Sequence, residues 1–230
     1  MPSFAAVLFD LDGTLVNTLP DILAALNRVM AEEGRRDVTV DEGRRFVGGG
    51  ARTLVVKALA ATGARDGDAT PDDALVDLCY GRFLADYLAH ATVLSRPYAG
   101  VVETLEKLRD AGTALGICTN KPHAVTLRVL EDLGLAAFFR DAVLGGDALA
   151  VRKPDARHLA AVAERAGAAL AGCAMVGDSE TDVATARAAG VPVVAVSFGY
   201  TALAPFALGA DALIDHFAEL PATLDRLGRR

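Results

Sequence analysis

From Arg96 onward, short apolar runs rich in β-branched residues alternate with stretches whose apolar residues recur at helical spacing. This rhythm constrains the fold most, because a chain running parallel strands side by side needs a crossover, usually a helix, between each pair. Strands are predicted at 114–118, 141–144, 173–176 and 191–196, with a short one near 212–214. Between them, Val101, Val102, Leu105 and Leu108 fall on one helical face, as do Val125, Val129, Leu130 and Leu133 before a C-cap at Gly134. The expected fold is α/β, a doubly wound, mostly parallel, Rossmann-like sheet with ligands at the carboxyl ends of its strands.

Residues 17–95 read differently. Ile22, Leu23, Leu26, Val29 and Met30 form an apolar helical face after Pro20, with a stop at Gly34. Leu54, Val55, Ala58 and Leu59 form a second, and Leu75, Leu78, Leu84, Tyr87 and Leu88 a third, while 58–71 reads as a polar connection. A further strand near 5–10 rejoins the later sheet. The expected organisation is therefore a catalytic core of 1–16 and 96–230 with a helical domain, 17–95, inserted after the first strand.

The 230 residues carry a formal charge of −7, with no Lys/Arg cluster longer than a pair before Arg229. Neutralising several phosphates needs a basic face, so nucleic acid is not an expected partner. No stretch approaches the roughly 20 apolar residues of a membrane span, which argues against a membrane partner. The first apolar run is broken by Asp10, too short for a secretory segment. Cys79, Cys118 and Cys173 are odd in number and lack CxxC spacing, so neither a disulfide framework nor a zinc site is expected, and a cytoplasmic location fits. Cys118 and Cys173 read as small core residues.

The chemistry concentrates at predicted strand ends. The first strand ends in FDLDGTL, 9–15, which sets two carboxylates, Asp10 and Asp12, two residues apart. Like charges that close must share a proton, a cation or both. A calcium loop of the EF-hand type is excluded, because counting from Asp10 puts Leu15 at the glycine position and Asp21 at the bidentate glutamate. Thr119 and Asn120 follow the strand ending at Cys118, Lys153 follows the Gly145-Gly146 turn, and GDSETD, 177–182, follows the strand ending at Val176. All four stations fall on the same edge of the predicted sheet.

FDLDGTL, Thr119, Lys153 and GDSETD, in this order and spacing, resemble the four motifs of the haloacid dehalogenase-like hydrolases, and the helical insertion resembles that superfamily's cap. The resemblance implies a Mg²⁺-dependent phosphomonoester hydrolase acting on a small-molecule phosphate ester. It implies that Asp10 is the nucleophile forming an aspartyl-phosphate and Asp12 the general acid/base. Mg²⁺ would be held by Asp10, the backbone carbonyl of Asp12 and Asp178; Thr119 and Lys153 would hold the phosphoryl group; Asp182 would orient Lys153 or metal-bound water. The acid at position 12 points to ester hydrolysis or phosphoryl transfer, leaving Lys57 as a surface lysine.

Within the superfamily, DLDGTL, TNKP at 119–122, the Lys153-Pro154 pair and FVGGGARTLV resemble phosphoglycolate phosphatases, which implies 2-phosphoglycolate as substrate. Asn17-Thr18 departs from the usual Asp-Ser, next to the hinge into the cap. Substrate contacts are expected from Asn120, Gly49 and Arg52, whose guanidinium suits a far carboxylate. A broad-specificity phosphatase for sugar phosphates, nucleotides or pyrophosphate and a hexose phosphomutase of the same fold are the alternatives. A phospho-signalling receiver, at roughly 120 residues and with no helical insertion, fits poorly.

Overall fold

The computed structural model describes residues 2–63 and 71–229. The chain begins with β1 (Ala6–Phe9) and β2 (Val16–Asn17), then passes through α1 (Leu19–Glu32), α2 (Val40–Phe46), α3 (Ala51–Ala61) and α4 (Asp73–Ala89) before returning at β3 (Arg96–Pro97). Then follow α5 (Val101–Asp110), β4 (Ala114–Cys118), α6 (His123–Asp132), α7 (Ala136–Phe139) and β5 (Val143–Leu144). The last third holds α8 (Ala156–Arg165), β6 (Cys173–Gly177), α9 (Glu180–Ala189), β7 (Val193–Val196), β8 (Ala212–Ile214) and α10 (Leu220–Leu227).

Six strands form one parallel sheet in the order β5-β4-β1-β6-β7-β8, so the first strand of the chain lies in its middle. Its residues are buried and divide by alternation. Val7 and Phe9 belong to one core with α5, α6 and α10, whereas Ala6 and Leu8 join another with α8 and α9. Helices therefore cover both faces, and the predicted fold class holds. The strands expected at 114–118 and 212–214 appear with those limits; β7 starts two residues late because Pro192 has no N–H to give to the ladder. The strand expected at 141–144 shrinks to its last two residues at the sheet's edge. Val102, expected on the inner face of α5, is exposed, while Val101, Leu105 and Leu108 are buried as expected.

The helical layer between β2 and β3 has its own apolar interior, continuous with the first core. The buried faces of α1 and α3 are those expected. That of α4 is so only in part: Tyr87 is inside and Leu75 and Leu84 pack against the core as expected, but Val76, Cys79 and Phe83 are inside too, whereas Leu78 and Leu88 are 49% and 41% exposed. Apolar residues lie on two sides of α4, and the stacked Phe83–Tyr87 pair, with centroids 5.5 Å apart, turns inward because aromatic rings bury the most area. An unanticipated helix, α2, starts at a reciprocal capping box between Thr39 and Glu42. Of the polar connection expected at 58–71, residues 58–61 belong to α3 and 64–70 lie outside the described residues. All three cysteines are buried free thiols, and among the described residues no helix is long and apolar enough to cross a membrane.

The chain leaves and re-enters the core through a small antiparallel ribbon, β2 against β3. Beside it, the buried Asp21 carboxylate at the start of α1 accepts the Leu94 N–H at 3.0 Å, the Ser95 N–H at 2.7 Å and the Ser95 hydroxyl at 2.6 Å. This clasp joins both ends of the helical layer. Asp21→Ala leaves those donors unpaired in a dry site and should lower stability by about 2 to 3 kcal/mol, read from the urea midpoint. A loss within 0.5 kcal/mol would contradict the clasp.

Candidate active site

Each acid of the first motif leaves the end of β1 in a different direction. Asp10 continues the sheet, donating its N–H to the Val176 carbonyl, while its Oδ1 accepts the Leu11 N–H at 2.7 Å and lies 3.0 Å from Lys153 Nζ. The chain then turns at Gly13, with φ +80°, where a Cβ would sit 2.3 Å from Asp178 Oδ2 and 2.9 Å from Tyr200 Cδ2. Only glycine fits so close to another strand's acid. Just before the turn, Asp12 Oδ1 accepts the Thr18 hydroxyl at 2.6 Å and Lys121 Nζ at 2.8 Å. Thr18 stands at the N-cap of α1 without capping it. Its hydroxyl serves the site instead.

The motif at 177–182 follows β6. Asp178 is buried, and its Oδ2 accepts the Tyr200 N–H at 2.6 Å. Asp182, in the first turn of α9, accepts Lys153 Nζ through Oδ1 at 2.6 Å, while its Oδ2 accepts the Ser179 N–H and hydroxyl and the Asp178 N–H. Asp182 thus has both oxygens engaged and is built to hold Lys153 in place. Thr119 and Asn120 leave β4 on the same edge. Asn120 donates through Nδ2 to the Lys153 carbonyl at 3.1 Å and the Gly48 carbonyl of the helical layer at 3.0 Å, and its buried Oδ1 has no partner among the described residues.

Four carboxylates therefore crowd two ammonium groups, and the acids respond. Burial, opposed by Lys153 and reinforced by Asp182 and Asp12, raises Asp10 to about 6. Burial, with Asp182 and Asp10 adding to it, pushes Asp178 well above the usual carboxylate range. Burial works against the charge of Lys153, but Asp10 and Asp182 outweigh it and hold the ammonium above the ordinary lysine range. Ligand atoms of Asp10, Asp178 and Asp182 all lie within 4.8 Å of one another. An oxygen-only set of buried acids, with Asp178 seated in a cradle that a Cβ at Gly13 or Gly199 would fill, fits a hard divalent cation. The cation's ligands would come from Asp10 and Asp178, since Asp182 is already engaged.

These groups open on a cleft of about 330 Å³ between the sheet edge and the helical layer. Asp10, Asp12, Thr119, Asn120 and Asp178 line it, as does Gly49 from the loop before α3. Lys153 lies just behind Asp10. Arg52 does not reach the cleft: its guanidinium pairs with Asp73 and Asp77 of α4 at 2.9 and 3.0 Å, because two nearer carboxylates on the neighbouring helix claim it. Lys57, expected on the surface, lines the cleft, and its Nζ donates to the Arg45 carbonyl at 3.1 Å.

Three contributors were not assigned from sequence. Lys121 is almost fully buried; besides Asp12 it meets the Tyr87 hydroxyl and lies 4.4 Å from that ring's centroid. Its place two residues after Thr119 was the available signal. Tyr87 comes from α4 and is visible only once the helical layer is packed onto the core. Tyr200 joins Asp178 to the hinge: its backbone serves the acid, while its hydroxyl accepts the Leu19 N–H at 3.0 Å and donates to Asn17 Oδ1 at 2.7 Å. The atypical Asn17 is thus a working hydrogen-bond acceptor.

The sequence profile of the haloacid dehalogenase-like hydrolases matches residues 7–196. A phosphoglycolate phosphatase of Agrobacterium fabrum is 41% identical over 227 residues, covering 98% of this chain and 95% of its own. One of Caulobacter vibrioides is 44% identical, covering 94% and 89%. Among solved structures, a protein of Haemophilus somnus described as a predicted phosphoglycolate phosphatase superposes with a TM-score of 0.90 at 28% identity, over 97% of this chain and 99% of its own. The site and its relatives agree: the chain belongs to the haloacid dehalogenase-like hydrolase family, within which it is a phosphatase.

Proposed function

We propose that this phosphatase hydrolyses 2-phosphoglycolate to glycolate and phosphate through an aspartyl-phosphate on Asp10, with Mg²⁺ held by Asp10, Asp178 and the backbone carbonyl of Asp12. The observation that carries this is the pairing of Asp10 with Lys153 in a small cleft that the helical layer roofs. The relatives that match nearly the whole chain and are named for this substrate support it.

A carboxylate attacking a phosphate dianion at about 4 Å meets repulsion of roughly 4 kcal/mol per pair of unit charges at an effective dielectric near 20. Lys153 offsets part of this from behind Asp10. Mg²⁺, when bound, supplies the remaining positive charge. Asp182 keeps Lys153 aimed by its 2.6 Å contact, and the Thr119 hydroxyl together with nearby backbone N–H groups holds phosphoryl oxygens. Asp10 attacks phosphorus, and Asp12 protonates the departing glycolate oxygen through the oxygen not claimed by Thr18 and Lys121. Asp12 then takes a proton from water as it attacks the phosphorus of the aspartyl-phosphate, releasing phosphate and regenerating Asp10. Residues 17–95 act as a cap: seated through the Asn120–Gly48 and Lys121–Tyr87 contacts, they keep bulk water from the intermediate.

Phosphate release from a panel of small esters should favour 2-phosphoglycolate and vanish with chelator, and Asp10→Asn should lower kcat at least roughly a thousand-fold. A flat profile would sink the substrate assignment. Asp12→Asn should cut kcat by about a hundred-fold or more while leaving inhibition by inorganic phosphate nearly unchanged; weakened phosphate binding with kcat intact would oppose its role. With Asp10 at about 6 in the metal-free protein, its proton competes with the cation below that pH. Mg²⁺ affinity should accordingly rise with pH from about 5 upward, the raised Asp178 extending the rise beyond the Asp10 range, with proton release seen by calorimetry in buffers of different ionisation enthalpy. An affinity independent of pH would contradict the placement of Asp10 in the metal site.

A further inference from the structure

The cleft is divided in charge. The core contributes four carboxylates, Asp10, Asp12, Asp178 and Glu180, against the single ammonium of Lys121, whereas the cap contributes Arg44, Arg45 and Lys57 and no carboxylate to its lining. Elsewhere most of the cap's cations are neutralised: Arg28 pairs with Asp86, Arg36 with Glu42, Arg52 with Asp77 and Arg82 with Glu33, while Arg35 donates to the Leu59 carbonyl. Among the described residues, the three that face the cleft meet no carboxylate. Lys57 is the fixed member. It is half-buried on α3, and one of its three N–H donors is spent on the Arg45 carbonyl at 3.1 Å, which anchors the ammonium and leaves two donors for a ligand. Apolar neighbours on the same wall, Ile22, Val47, Leu54 and Phe83, lower the local dielectric and strengthen any charge contact made there.

We propose that Lys57, flanked by Arg44 and Arg45, binds the carboxylate at the far end of the substrate while the phosphoryl group sits against Asp10. This rests on the reading of the chain as a hydrolase of a carboxylate-bearing phosphate ester and assigns the residues that select it. A cleft of about 330 Å³ holds a short phosphorylated acid with space to spare, so selection there falls to charge more than to size. A neutral tail would leave the ammonium desolvated and unpaired, so the site discriminates by charge.

The test compares kcat/KM for 2-phosphoglycolate and for ethyl phosphate, which has the same length and no carboxylate, in the wild type, Lys57→Met, Lys57→Arg and the double variant Arg44→Gln/Arg45→Gln. The wild type should prefer 2-phosphoglycolate. Lys57→Met should lower that preference roughly ten- to a hundred-fold, mainly through KM, Lys57→Arg should retain most of it, and the double variant should lower it by a smaller factor. A wild-type preference that survives in Lys57→Met, or an equal fall for both esters, would overturn the assignment of Lys57 while leaving the substrate intact. A wild type without preference would overturn the substrate reading, and the role of Lys57 with it.

Discussion

Charge balance at the carboxyl edge of the sheet governs the rest of this molecule. Among the described residues, the cluster of Asp10, Asp12, Asp178 and Asp182 has Lys121 and Lys153 as its paired cations, and burial has already lifted Asp10 and Asp178 toward their protonated forms. Such a cluster is costly unless something cationic joins it. A divalent cation would relieve the excess and also prepare the site for a phosphate dianion, so one ion would meet both the stability problem and the catalytic requirement. The close approach that creates the problem is specified locally, by Gly13 and Gly199, whose missing side chains let Asp178 come within contact of the first turn.

The helical layer is tied to this centre by few bonds. Asn120 reaches Gly48, Lys121 meets Tyr87, and the hinge is held by Asp21 and by the Tyr200 hydroxyl. Beyond these polar contacts, the layer joins the core through the two-residue ribbon and through apolar packing continuous with Val7 and Phe9. Lys121 bears on both parts at once. It holds the Asp12 carboxylate and touches the helical layer through Tyr87, so the seating of that layer and the orientation of Asp12 are physically linked.

The sheet was legible in the sequence because β-branched runs and helical spacing are local signals. The motif acids were legible because strand ends collect on one edge in any doubly wound fold. What escaped was the cap's contribution. Arg52 looked like the natural anion reader, yet side-chain chemistry cannot reveal that Asp73 and Asp77 on the next helix lie closer to it than the cleft does. The rest of the inward face of α4 depends on how that helix is rotated, which its two apolar sides leave undecided until packing chooses the aromatic one, and the place of Lys57 depends on how α3 lies against the core. Tyr200, distant in sequence from both Asp178 and Asn17, becomes meaningful only once the loop after β7 folds over the first turn.

The central claim is that the phosphoryl group passes through the Asp10 carboxylate. Quenching steady-state turnover into borohydride reduces an acyl phosphate to the alcohol and expels phosphate, so peptide mass spectrometry should find homoserine at position 10 only when substrate and Mg²⁺ are both present. An unmodified residue 10 with turnover in progress, or the same reduction at a different carboxylate, would contradict the account.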